Sequence, residues 1–127
     1  MALDVERQIA YWRDGSATAL RSVPTLMGGE FWSEALFWTH LAVEKALKAH
    51  VVKETRAVPP YIHNLVRLAE IAALPLAPEQ IQLCKDLSLY QRLCRYEDQA
   101  IPEPDKAVAV RLVEKSEEIR RWLLDRL

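Results

Sequence analysis

Four kinds of side chain in this sequence could do chemistry. The first is the run Arg95, Tyr96, Glu97, Asp98, which sits in a polar stretch without helical repeat. A guanidinium next to an aromatic ring on a loop suits a phosphate and a stacked base. The same arginine could instead clamp helix-end carbonyls or an acid such as Glu44. The second is His63, beside Asn64 at a helix start. Its imidazole can move a proton near neutral pH, or it can cap the helix or bond a carboxylate. The third is Lys45, which could add positive charge to the same cleft. The fourth comprises His40 and His50, ten residues apart on one helix. That spacing turns them to different faces without metal-type partners, so no metal site is expected.

Other chemistries find no support. Cys84 and Cys94 would sit roughly 15 Å apart along one helix, too far for a disulfide, and their spacing fits no zinc pattern. The chain has no P-loop, no glycine-rich phosphate cradle, no Ser-His-Asp order and no paired-carboxylate signature. No cofactor is expected. Trp12, Trp32, Trp38 and Trp122 fit core or interface positions better than a binding cage.

These side chains must be held by helices. The second helix organises the rest, running from Phe31 to Val52 and ending near Lys53 or Glu54. Trp32, Ala35, Leu36, Thr39, Ala42, Val43, Ala46 and Leu47 recur three or four apart, and Phe31, Phe37, Trp38 and Leu41 widen the stripe. A helix this apolar is central, with Glu34, Glu44, Lys45 and Lys48 on the narrow strip left for water. Before it, Val5, Ile9, Trp12, Ser16, Ala19, Val23 and Leu26 mark a first helix from Asp4 to Met27. Pro24 predicts a kink or an early end near Ser22, and Gly28 and Gly29 close the segment. After the second helix, TRAVPPYIHN reads as a loop. His63 and Asn64 open a third helix with Leu65, Leu68, Ala69 and Ala72 facing inward. A fourth runs from Glu79 to about Cys94, and a fifth begins near Asp105, with Ala109, Leu112, Ser116, Ile119 and Leu123 as its seam. Nothing reads as a strand, so the expected fold is all-α, an up-and-down bundle of four to five helices.

The totals agree with that outline. The chain has 127 residues, which fits one domain over residues 1–127. Half the residues are hydrophobic and 28% are charged, an ordinary globular balance. A net charge of −1 gives no global electrostatic case for nucleic acid or an anionic membrane, although a local basic patch remains open. No apolar run reaches spanning length, and MALDVERQIAYW lacks the layout of a signal peptide, so a cytoplasmic protein is expected.

Three segments carry a family resemblance. AVEKALKAH on the second helix is similar to the A-x-E-K-A-L-K-A core of HEPN domains. YIHNLVRLAE, after a proline-containing loop, resembles that family's His-x-Leu start of the third helix, and YQRLCRYED resembles its Tyr…Arg-Tyr-x-Asp segment. Their order and the five-helix layout also fit, over nearly the whole chain. The resemblance implies a small helical bundle, often homodimeric, and in many prokaryotic members paired with a minimal nucleotidyltransferase as a toxin–antitoxin system. Nuclease members cleave RNA through an Arg, four to six residues, then a His, duplicated across the dimer. Other members are non-catalytic and bind nucleotides or nucleic acid. Metal-free cleavage needs a base near the 2′-hydroxyl and a cation on the phosphate. Arg56 and His63, six residues between them, match that motif. Pro59 and Pro60 lie inside it, and Asn64 and Leu65 follow His63, where some toxins carry a tyrosine that the transferase adenylylates. Both departures weigh against an active toxin.

The expectation is therefore a HEPN-family nucleotide-binding and interaction domain, homodimeric, working with a nucleotidyltransferase partner. His63, Arg95, Tyr96, Lys45 and Asp98 would line its cleft. One alternative is a metal-independent HEPN ribonuclease, the toxin of such a pair, with Arg56 or Arg95 on the phosphate and His63 moving the proton. Another is a purely structural helical adaptor.

Overall fold

Helices account for the backbone because apolar positions recur at helical spacing, and two of the three long helices start at a capping aspartate, Asp4 and Asp105. A computed structural model describes residues 2–91 and 103–127. α1 spans Val5–Leu20, with the Asp4 side chain accepting from the Arg7 N–H. α2 spans Val23–Gly28, α3 Trp32–Thr55 and α4 Leu65–Ile71. α5 spans Pro78–Leu87, followed by one 3-10 turn over Ser88–Tyr90, and α6 spans Lys106–Leu124. Among the described residues there is no strand.

The long first helix divides as Pro24 predicts. α1 stops at Leu20, and Pro24 sits in the first turn of α2, where a missing N–H costs nothing. Gly28 and Gly29 close α2 as expected, as its last residue and its cap. Neither Gly28 nor Gly29 takes the left-handed conformation; Glu30 does, at φ 62°. The Phe31 N–H reaches the Leu26 carbonyl and the Glu30 N–H the Met27 carbonyl, which places the left-handed step one residue past the helix cap. A Cβ at Gly29 would lie 2.7 Å from the exposed Phe31 ring, which would have to turn aside. Ala73 makes the same left-handed closure after α4, at φ 54°.

α3 packs against α1, α2, α4, α5, α6 and the 3-10 turn, as its apolar girth requires. Contact pairs fix the helix directions. Ser16 meets Ala42, Gly15 meets Lys45 and Trp12 meets Lys48, so α1 and α3 are antiparallel. His50 meets Leu123 and Lys53 meets Arg126, so α3 and α6 are parallel. Glu103, just before α6, bonds Ser33 at the start of α3. The chain therefore climbs back along α3 between Thr55 and Glu103, and α4 and α5 lie on that return. The result is the expected all-α, up-and-down bundle, with four legs. Leu36, Val43, Leu47, Leu68, Leu87 and Leu112 lie in one core cluster. All five seam residues of α6 are buried, as are the four inner residues expected from Leu65 to Ala72.

The fourth expected helix ends early. Its α-helical ladder stops at Leu87 rather than continuing to Cys94, which lies outside the described residues. The Ser88 hydroxyl donates to the Cys84 carbonyl at 2.8 Å, and the following turn tightens to 3-10 geometry.

Candidate functional site

The polar strip of α3 is only partly a solvated face: Glu34 is exposed and Lys45 half-buried, but the other two residues are buried. Glu44 and Lys48 are 3% and 5% exposed, and His40 on the same stripe is 2% exposed. The strip was expected to meet water. Instead α1 lies across its buried part and carries Trp12, whose ring centroid is 5.3 Å from the Lys48 Nζ. That ring face gives the buried ammonium a partly favourable contact. The ammonium pairs with Glu44 Oε2 at 3.2 Å. A pair of opposite charges, satisfied on both sides, is the form in which charge tolerates burial.

The other carboxylate oxygen reaches outward. His63 Nδ1–H donates to Glu44 Oε1 at 2.9 Å, across 19 residues of sequence. The His63 side chain is 67% exposed while its anchor is buried. Because a carboxylate only accepts, the bond puts the proton on Nδ1 and leaves Nε2 as the free edge. An imidazole oriented by a buried acid can accept a proton, or bond a hydroxyl or phosphate, without first reorienting. The helix-capping role open to His63 is taken by Asn64, whose side chain accepts from the Arg67 N–H at 3.0 Å.

His40 completes the cluster. Its Nδ1 is 3.8 Å from Glu44 Oε1, too far for a hydrogen bond, and its buried Nε2 has no hydrogen-bond partner. Burial pulls its pKa down to about 4; the Glu44 charge and the His63 carbonyl oppose that shift, and the charge of a protonated His63 adds to it. His40 is thus a neutral wall of the site. His50 is buried elsewhere and donates from Nε2 to the Leu123 carbonyl at 2.6 Å, and burial again lowers its pKa. Among the described residues no group of three His, Cys, Asp or Glu side chains could hold a metal ion.

Of the remaining expected site residues, Lys45 and Arg56 stand outside this cluster. Lys45 is half-buried and crosses α1 at Gly15, where a Cβ would come within 3.1 Å of its Cδ. Arg56 closes α3 in a left-handed conformation, φ 60°, and is exposed. It stands twelve residues beyond Glu44, roughly 18 Å along the helix axis at the usual rise. Arg95, Tyr96 and Asp98 lie outside the described residues.

A groove of about 580 Å³ runs between α5 and α6, floored by Leu83, Ile119 and Trp122. Glu79, Asp86 and Arg111 rim it with both signs of charge, and none of the His63 cluster lines it. It has no oriented acid–base pair, so the chemistry concentrates at Glu44 and His63.

A family model, described as HEPN domain, matches residues 9–127. The chain belongs to the HEPN family. That match spans all six helices except the first turn of α1. No curated protein and no solved structure gives a significant match. HEPN membership puts the chain in a family of nucleotide- and RNA-interacting domains. Among the described residues no helix is long and apolar enough to cross a membrane. In this HEPN domain, Glu44, Lys48 and His40 are the site residues that sequence reasoning placed elsewhere. A signal for them was present. His40, Glu44 and Lys48 are spaced by four, so they share one stripe of a helix that is otherwise apolar nearly all round.

Proposed function

We propose that residues 1–127 form one HEPN domain that binds nucleotides or RNA and works with a minimal nucleotidyltransferase in a toxin–antitoxin-like pair. The observation that carries the reading is the Glu44–His63 bond: a buried carboxylate holds an exposed imidazole with Nε2 facing outward. In this reading Nε2 hydrogen-bonds a phosphate or ribose oxygen of the ligand. The cation such a ligand needs comes from Arg95, with Tyr96, Asp98 and Lys45 as further contacts. A homodimer would bring two such clefts together. Titrating labelled single-stranded RNA and nucleotides into the purified chain tests this. His63→Ala should weaken binding by tenfold or more, on the scale of the roughly 1.5–3 kcal/mol that a hydrogen bond to a charged group contributes. Thermal unfolding measured alongside separates binding from folding. Equal binding by both proteins would defeat the proposal. Co-purification of a nucleotidyltransferase with the tagged chain tests the partnership separately.

A second reading, metal-independent endoribonuclease, is favoured by the same dyad. There His63 Nε2 takes the proton from a 2′-hydroxyl, and the 2′-oxygen bonds phosphorus as the P–5′-O bond breaks. The 5′-oxygen takes a proton from water, and Arg56 or Arg95 neutralises the phosphate. Arg56 of the same chain is poorly placed for that, roughly 18 Å along α3 from Glu44 at the helical rise per residue. A second copy could supply it instead. RNA cut in excess chelator, leaving cyclic phosphate ends and lost in His63→Ala, would establish this reading over simple binding.

A further inference from the structure

Tyr61 is 99% exposed, more than the other large hydrophobic residues exposed among the described ones. The backbone that carries it is nevertheless tied down. The Ile62 N–H donates to the Pro60 carbonyl at 2.9 Å, closing a three-residue turn with Tyr61 at its apex. Upstream, Pro59 is buried and Pro60 fixes its own φ. Downstream, the bond from His63 to Glu44 pins the chain to α3. A restrained turn thus lifts an aromatic ring, both faces open, into solvent. Two residues further on stands the free edge of His63, its Cα at most about 7 Å from that of Tyr61.

From this juxtaposition we infer that Tyr61 is a base-stacking residue of the His63 site: its ring covers the face of an unpaired nucleobase while His63 Nε2 holds the sugar–phosphate of the same nucleotide. This deepens the nucleotide- or RNA-binding reading above and rests on it. The ligand class follows from the ring. Stacking needs a free base face, which a duplex hides and a single strand offers. The surroundings favour a nucleotide over a protein surface. Protein interfaces bury their aromatics in a core depleted of charge. Here the residues that follow Tyr61 within three positions include His63 and Asn64, both polar and exposed.

The test uses the full chain and single-stranded RNA carrying 2-aminopurine, whose fluorescence is quenched on stacking. Tyr61→Ala and Tyr61→Phe are compared with wild type, and Tyr11→Ala serves as a control at another exposed tyrosine. Because the Tyr61 ring is fully exposed, its removal leaves the fold intact. Tyr61→Ala should lose the quench and weaken RNA binding roughly 5- to 150-fold, the range of a lost base–aromatic stack. Tyr61→Phe and Tyr11→Ala should keep both. If Tyr61→Ala binds and quenches as wild type does, the inference fails and the binding reading stands. An equal loss with duplex RNA overturns it too, as does loss of self-association in Tyr61→Ala, which would make Tyr61 a protein contact. If wild type binds neither RNA nor nucleotide, both readings fall.

Discussion

Replacing Glu44 by methionine keeps the side-chain volume and removes one charge from a buried pair. Lys48 is then left 5% exposed with no carboxylate, and only the Trp12 ring, 5.3 Å away, to face. Removing one partner of a buried ion pair costs about 3–5 kcal/mol, because the remaining charge stays desolvated. The Trp12 contact offsets part of this, so about 3 kcal/mol is expected. A domain of this size has a total stability of roughly 5–15 kcal/mol, so the loss is a large fraction of it. At roughly 4 °C per kcal/mol for a chain of this length, the midpoint should fall by about 12 °C. Urea unfolding followed by far-UV circular dichroism would measure it, read as a midpoint shift at constant slope.

The decisive comparison is the double variant Glu44→Met with Lys48→Met. Replacing both charges by packed apolar groups of similar size is often neutral or stabilising. The double variant should therefore regain most of what the single one loses. The His63 ring supplies an independent readout. Its nitrogen shifts should report a proton on Nδ1 in wild type and a mixture of tautomers once Glu44 is gone. A single variant costing under about 1 kcal/mol would mean that the pair reaches water, where ion pairs contribute that little. A double variant no better than the single one would mean that the loss comes from packing. Either result would refute the buried-pair reasoning.

Two further outcomes follow from the same packing. His40 stays neutral in the folded chain down to about pH 4, whereas it protonates near 6.5 once unfolded. Its burial therefore stabilises fully above pH 6.5, and the contribution is lost as pH falls from there towards 4, by about 3 kcal/mol in all. Unfolding midpoints between pH 7 and 4 should drop accordingly, and His40→Met should flatten the curve over that window; His50, shifted in the same direction, leaves a residual slope. Ser16, fully buried, donates to the Ala42 carbonyl at 2.7 Å and accepts from Arg120 Nε at 2.8 Å. Ser16→Ala strands both partners and should cost about 1–3 kcal/mol by urea unfolding, whereas an unchanged midpoint would show that Arg120 finds water instead.

How much of this was legible in the sequence depends on whether a feature is local. The α6 seam, the inner face after Asn64 and the girth of α3 follow from periodicity, which records which face a helix buries. The caps at Asp4, Asn64 and Asp105 are local too, and each accepts from the backbone three residues on. Periodicity does not say which element will cover a given face. The strip of Glu44 and Lys48 looks solvated until α1 is laid antiparallel across it, and that depends on contacts such as Ser16 with Ala42, 26 residues apart. His63 meeting Glu44 is of the same kind. A histidine after two prolines shows what it could do, but not that a buried acid waits beneath it. The stop at Leu87 is smaller in scale: the ladder tightens to 3-10 geometry at Ser88, where periodicity alone would extend it.

The mismatch at Glu44 bears on function. Sequences generally agree with their folds at every level, and local disagreement concentrates where another requirement acts. On packing grounds alone an apolar pair would serve α3 at least as well as Glu44 and Lys48, since buried ion pairs seldom add net stability. Lys48 finds its counter-charge in Glu44, so Lys48 accounts for the charge of Glu44 and nothing in the core accounts for Lys48. The second oxygen of Glu44 faces away from that pair, onto an imidazole that is two-thirds exposed. A requirement at His63 would give that carboxylate a reason to sit at this depth beyond pairing Lys48. A domain with no such requirement, the structural adaptor, should therefore tolerate the double methionine variant in every assay. A binding or cleaving domain should accept it in folding and lose its ligand.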